Sequence, residues 1–205
     1  MNDLIYLICP VRKLTKSQKK EIDQYIKMLK SQGKDVKCPY SDTDQDDEVG
    51  LRIVKEHEKD ILERDNIHIY WDPTSTGSLW DLAQVRLAQM LGIEKKILWI
   101  NTRPDLIDFG FIWDCSANIK LNKNENSFRL IWKHNDKVSL WKMAQIRMLK
   151  KLRPDIGFFI KNIKDLDIDS YKSYKNVMIA TALGLKNCFS RDKLKKKLNK
   201  FKRRK

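Results

Sequence analysis

Residues 67–101 read IHIYWDPTSTGSLWDLAQVRLAQMLGIEKKILWIN, and their pattern decides the fold. Residues 67–71 are an apolar run of strand length. A polar turn follows, and then residues 78–91 carry the periodicity of a helix that Gly92 stops. Residues 96–101 (KILWIN) are a second apolar run. A strand, a crossover helix and a strand of this length predict two parallel strands.

The same alternation extends towards the N-terminus. Residues 3–9 (DLIYLIC), closed by Pro10, read as a buried strand. Ile22, Tyr25, Ile26 and Leu29 stand at helical spacing within residues 15–31, with Thr15 as cap and Gly33 as stop. A short strand around Val36 follows, then an acidic loop at 41–48 and a helix at about 47–64. Apolar strands alternating with helices predict an α/β, Rossmann-like, mostly parallel sheet with helices on both faces, followed by a basic C-terminal helix or tail.

An offset of 61 aligns residues 67–101 with 128–162 without a gap. Trp71 meets Trp132, Ser78-Leu79-Trp80 meets Ser139-Leu140-Trp141, Ala83-Gln84 meets Ala144-Gln145, and Asn101 meets Asn162. This reads as a duplicated strand–helix–strand unit. The alternative is a chance match between two helices of similar composition. Polar positions differ between the copies: Asp72 corresponds to Lys133, Gly77 to Val138 and Asp81 to Lys142. The expected organisation is a site-bearing α/β half at 1–101, a second α/β unit at 102–185 that extends the sheet, and a basic tail at 186–205.

The chain has 205 residues, with 42 Lys and Arg against 27 Asp and Glu, for a net charge of +15. Residues 1–101 hold 16 basic and 17 acidic side chains, whereas residues 186–205 hold 11 and one. The excess is thus mostly terminal. It admits two readings: weak attraction to nucleic-acid phosphates, or a solvated helix end. A hydrophobic content of 41% supports a folded core, and the composition excludes collagen and a fully disordered chain. No apolar run approaches the ~18 residues of a membrane span, and residues 4–10 are too short for a signal-peptide core. A cytoplasmic protein without a membrane partner is expected. Cys9, Cys38, Cys115 and Cys188 form no CxxC pair and read as reduced thiols, with no zinc site.

In such a sheet, ligands bind beyond the carboxyl ends of the strands. The turn at 72–78 and the helix start behind it offer hydroxyls and free N–H groups to an anion. Ile5-Tyr6-Leu7 with Pro10, Pro39-Tyr40 with Asp42, Asp44, Asp46 and Asp47, and Gly77-Ser78-Leu79-Trp80-Asp81-Leu82-Ala83 occur in that order. Over residues 3–101 these elements resemble the nucleoside 2-deoxyribosyltransferase family and its nucleotide N-hydrolase relatives. Asp81 stands at the position of the family's catalytic glutamate, with a side chain shorter by one C–C bond, roughly 1.5 Å. Ala83 replaces a glycine of the family's pattern.

The resemblance implies cleavage or transfer of an N-glycosidic bond through a carboxylate-stabilised sugar cation, with no metal and no cofactor. It makes Asp81 the catalytic carboxylate and Tyr6 the residue that holds it. Asp44, Asp46 and Asp72 become candidates for binding the sugar or protonating the base. Ser75, Thr76, Gly77 and Ser78 become candidates for a 5′-phosphate or 5′-hydroxyl. It also implies a nucleoside or nucleotide substrate and a homo-oligomer. The competing readings are a catalytically lapsed nucleotide-binding or sensing module, an NAD glycohydrolase-like enzyme, and a nucleic-acid-associated protein acting through its tail. His57, His68 and His134 show no ligand spacing and receive no role.

Overall fold

In the computed structural model, which describes residues 3–12, 14–102, 119–122, 127–131, 137–155, 157–161 and 173–203, strand β1 (Leu4–Ile8) has a neighbour on each side. Its side chains alternate between two buried faces. Ile5, Leu7 and Cys9 share one core with Ile22, Ile26 and Leu29 of helix α1 (Lys16–Ser31). Tyr6 faces the other way, towards helices α3 (Leu51–Glu63) and α4 (Thr76–Met90). Burial on both faces explains why this strand is an unbroken apolar run.

Local chemistry sets the helix ends. The Thr15 hydroxyl accepts from the Gln18 N–H, and the Gln18 side chain accepts from the Thr15 N–H, closing a capping box. Gly33 follows α1 at φ +75°, a conformation that costs a glycine little. Residues Pro39–Asp42, which overlap the start of the stretch read as loop, form a short helix, α2. The expected start of α4 at Ser78 is corrected: Ser75 is the cap, and the helix begins at Thr76. At the far end of α3, the buried Lys95 ammonium donates to the carbonyls of Leu62 and Arg64, where a helix leaves its last acceptors unpaired.

Strands β2 (Asp35–Lys37), β1, β3 (Asn66–Ile69) and β4 (Lys96–Trp99) lie in that order, all parallel. The arrangement is an α/β Rossmann-like sheet. The winding reverses between β1 and β3, and a reversal of this kind leaves a crevice at the carboxyl ends of the strands.

The chain divides into two compact units, Met1–Thr43 with Glu56–Asp108 and Asp44–Lys55 with Phe109–Lys205. In the second, β5 (Ile119–Asn122), β6 (Ser127–Ile131) and β7 (Gly157–Lys161) form their own sheet, and with them go helices α5 (Lys137–Leu152), α6 (Ser173–Ala182) and α7 (Arg191–Arg203). Among the described residues these strands pair with one another. β5 and β6 pair antiparallel across only four intervening residues, too few for a parallel crossover.

β6 and β7 are parallel, and their register repeats that of β3 and β4 at the offset of 61. Asn66 opposite Lys96 becomes Ser127 opposite Gly157, and Ile69 opposite Trp99 becomes Leu130 opposite Ile160. Helix α4 maps onto α5 in the same way. Matching register in addition to matching sequence supports a duplicated strand–helix–strand unit. Trp132, Lys133 and Asn162 of that alignment lie outside the described residues, as do Cys115 and His134.

Within residues 186–205, α7 is a packed helix. Leu194 and Leu198 form its buried stripe, while most of its lysines are exposed. Among the described residues no helix is long and apolar enough to cross a membrane. Leu194→Ala should cost about 2–5 kcal/mol, whereas the exposed Lys196→Ala should stay within about 0.5 kcal/mol. Denaturant unfolding of the two variants, followed by hydrogen exchange of residues 191–203, measures the difference.

Candidate functional site

Asp81 lies in the second turn of α4 and is 3% exposed. A carboxylate this buried needs partners, since desolvation alone costs several kcal/mol. It has two. The Tyr6 hydroxyl donates to Asp81 Oδ2 at 3.0 Å. His57 Nδ1 lies 3.1 Å from Oδ2 and 3.3 Å from Oδ1. The rings of Tyr6 and His57 stand 6.0 Å apart, tilted by 59°. Three elements therefore meet at one carboxylate: β1 supplies the phenol, α3 the imidazole and α4 the acid.

Burial pushes the His57 pKa down, but the Asp81 charge and hydrogen bond, aided by Glu56 and Asp60, outweigh it. The net shift is upward, so the imidazole is held towards its cationic form. With Nδ1–H committed to Asp81, the other ring nitrogen, Nε2, is buried and has no hydrogen-bond partner among the described residues. Beside this group, the Gln84 amide donates to Glu58 Oε1 at 3.1 Å, and both residues are buried. The facing sides of α3 and α4 thus carry a polar layer inside an apolar unit.

The turn at 72–78 is tied up by its own hydrogen bonds. Asp72 Oδ1 accepts from the Thr74 N–H and hydroxyl, at 2.8 and 2.7 Å. Ser75 Oγ accepts from the Ser78 N–H and hydroxyl, at 3.2 and 2.9 Å. Ser78 is buried, Gly77 is half-buried, and Thr76 is exposed in the first turn of α4. These residues share the first unit with Asp81.

Asp44 and Asp46 belong to the second unit and are held within their own loop. Asp44 Oδ2 accepts from the Arg52 guanidinium at 3.0 Å, and Asp44 Oδ1 accepts from the Asp46 N–H at 2.9 Å. The Asp46 carbonyl accepts from Arg52 as well. Asp47 is buried and receives the N–H groups of Val49 and Arg52, which fixes the start of α3. The structure therefore brings Tyr6 and Asp81 together, and it gives the acidic loop local partners.

His57 is the residue that sequence reading missed. Its signal lies in the spacing Val54, His57, Ile61, all buried, which places a titratable ring on the apolar stripe of α3. His68 is buried as well, and its Nδ1 lies 2.9 Å from the Tyr25 hydroxyl, which gives it a structural partner. Lys142, at the position equivalent to Asp81 in the repeated helix, is also buried. Among the described residues no group of three or more His, Cys, Asp or Glu is placed to hold a metal.

No protein-family model matches the chain, and neither does any curated protein or solved structure.

The buried pair predicts a pH dependence. A raised folded-state pKa means that the His57–Asp81 pair stabilises the fold fully below the unfolded value of about 6.5. The contribution fades as pH rises through the higher folded value. In Asp81→Asn the opposing charge is gone, so burial should carry the His57 titration below the ordinary histidine value, and the fold should lose about 3–5 kcal/mol below pH 6. NMR titration of the His57 ring and denaturant unfolding at several pH values measure both effects.

Proposed function

We propose that the chain cleaves or transfers the N-glycosidic bond of a nucleoside or nucleotide, with Asp81 as the carboxylate that stabilises the sugar cation. On this reading it is a member of the nucleoside 2-deoxyribosyltransferase-like enzymes. The observation that carries the reading is the hydrogen bond of 3.0 Å from the Tyr6 hydroxyl to Asp81. It joins two residues 75 positions apart, both of which the resemblance assigns to the site. It lies between β1, an interior strand, and α4, the helix that follows β3.

Loss of the base leaves positive charge on the anomeric carbon of the sugar. An ionised carboxylate against that carbon stabilises the cation or closes on it as a glycosyl ester. Tyr6 and His57 both engage Oδ2, while among the described residues Oδ1 receives the 3.3 Å contact from His57. Oδ1 is therefore the oxygen that would turn to the sugar, with Oδ2 as its anchor. Fixing the carboxylate beforehand removes the cost of orienting it during the reaction. Asp81 is 3% exposed, so substrate entry requires the side chains that cover it to move. Water as acceptor gives hydrolysis, and a second base gives transfer.

That burial, with both oxygens engaged, favours a second reading: a nucleotide-binding or sensing module that turns nothing over.

Incubation with (deoxy)nucleosides, their monophosphates and NAD, followed by chromatography of the free base, tests both. The enzyme reading expects base release from at least one substrate. It further expects a loss of about 10³-fold or more in Asp81→Ala and about 10–100-fold in Tyr6→Phe. Saturable calorimetric binding without base release supports the second reading. No release from any substrate, with Asp81→Ala indistinguishable from wild type, overturns the first.

A further inference from the structure

We infer that Cys9 and Cys38 form a modification site, a dithiol that a small peroxide closes into an intramolecular disulfide across the carboxyl ends of β1 and β2. The two strands pair in parallel with Tyr6 opposite Lys37, and each cysteine is the first residue after its strand. Both side chains enter the core under α1, with Leu7 and Val36. Their sulfurs lie 3.5 Å apart. A disulfide bond of about 2.05 Å needs a further approach of roughly 1.5 Å. Cys9 is 4% exposed and Cys38 0%. That burial selects the oxidant: hydrogen peroxide is small enough to reach the pair, whereas a bulky disulfide such as oxidised glutathione is not.

The two thiols are not equivalent. The hydrogen bond from Cys9 brings the Cys38 thiol below the ordinary range, and although burial opposes this, hydrogen bonds from the backbone of Tyr40 and Ser41 add to it. The same contact with Cys38, together with burial and the nearby Asp81 charge, holds Cys9 well above that range. Either sulfur can take the peroxide oxygen, and the other, 3.5 Å away, resolves it; with Cys38 as the first to react, the second step falls to Cys9.

The steps balance as follows. Cys38 Sγ attacks one peroxide oxygen and the O–O bond breaks, leaving a sulfenic acid on Cys38 and a hydroxide that takes up a proton. Cys9 Sγ then attacks the Cys38 sulfur. The S–S bond forms, the S–O bond breaks, and the departing hydroxide leaves as water with the proton of Cys9. Two thiols and one hydrogen peroxide give one disulfide and two waters. The sulfurs are oxidised and the peroxide oxygens reduced. None of this depends on the reaction proposed for Asp81.

The test treats the reduced full-length chain with hydrogen peroxide, blocks remaining thiols with N-ethylmaleimide in denaturant, and maps tryptic peptides without reduction. Cleavage after Arg12, Lys37 and Arg52 places the two cysteines in separate peptides, 1–12 and 38–52. The expected product is these two peptides joined, two hydrogens lighter than their sum and separated by dithiothreitol. It should form about tenfold or more faster than oxidation of Cys188, whose thiol burial holds above the ordinary range. Cys9→Ser and Cys38→Ser should each abolish the linked product, leaving the remaining cysteine alkylated or, after denaturation, trapped by dimedone as a sulfenic acid. The inference is overturned if both cysteines stay alkylated at a peroxide dose that oxidises Cys188. It is equally overturned if they reach sulfinic acid without linking, or if either links instead to Cys115 or Cys188.

Discussion

A carboxylate taken out of water has to be matched by donors of its own, and Asp81 sets that requirement for the whole first unit. Its partners come from different elements, Tyr6 on β1 and His57 on α3. To satisfy one charge, the strand and two helices must keep a common alignment to within a hydrogen-bond length. The surrounding apolar core fills space without regard to direction, whereas this triad is directional. It fixes which face of α3 turns inward and how far α4 advances along the strand.

β1 makes that alignment possible. Because it is interior, its two faces serve different ends. Ile5, Leu7 and Cys9 build an apolar layer with α1, which supplies stability and carries the thiol pair. The opposite face carries the polar triad. One five-residue strand thus separates two chemistries that would otherwise interfere, a soft sulfur pair on one side and an ion pair on the other. The Asp81 charge, which helps hold the Cys9 thiol up, links them.

Much of the first unit was legible in the sequence, because periodicity and punctuation there agree. Thr15, Gly33 and Gly92 mark ends that the structure keeps, and three apolar runs with the short segment around Val36 mark its four strands. Tyr6 and Asp81 could be singled out, through the resemblance, as a tyrosine and an acid that belong together. His57 was illegible as a partner because helical spacing says only that a side chain points inward. It does not say which buried atom it will meet. The ties of Asp44 to Arg52 and of Asp47 to the start of α3 were hidden for a similar reason: a run of acids reads as solvated until the backbone shows which N–H groups it covers. In the second half, the offset of 61 correctly pairs β6, α5 and β7 with β3, α4 and β4. It carries no information about the strand that precedes the repeat, β5, which pairs antiparallel with β6.

The order β2-β1-β3-β4 also has a consequence for synthesis on the ribosome. β1 emerges first and finds β2 about 30 residues later, but its other edge pairs with β3, whose residues start at Asn66. Until then an apolar strand, LIYLI, has a row of backbone donors and acceptors exposed on one side, and exposed edges of this kind recruit neighbouring chains. At about 5–20 residues per second the interval lasts seconds. The strongly polar segment between β2 and β3, with its aspartates at 42, 44, 46 and 47, is the part of the nascent chain present during that window. Charge of one sign in that segment opposes association between neighbouring nascent chains until β3 arrives to cover the edge.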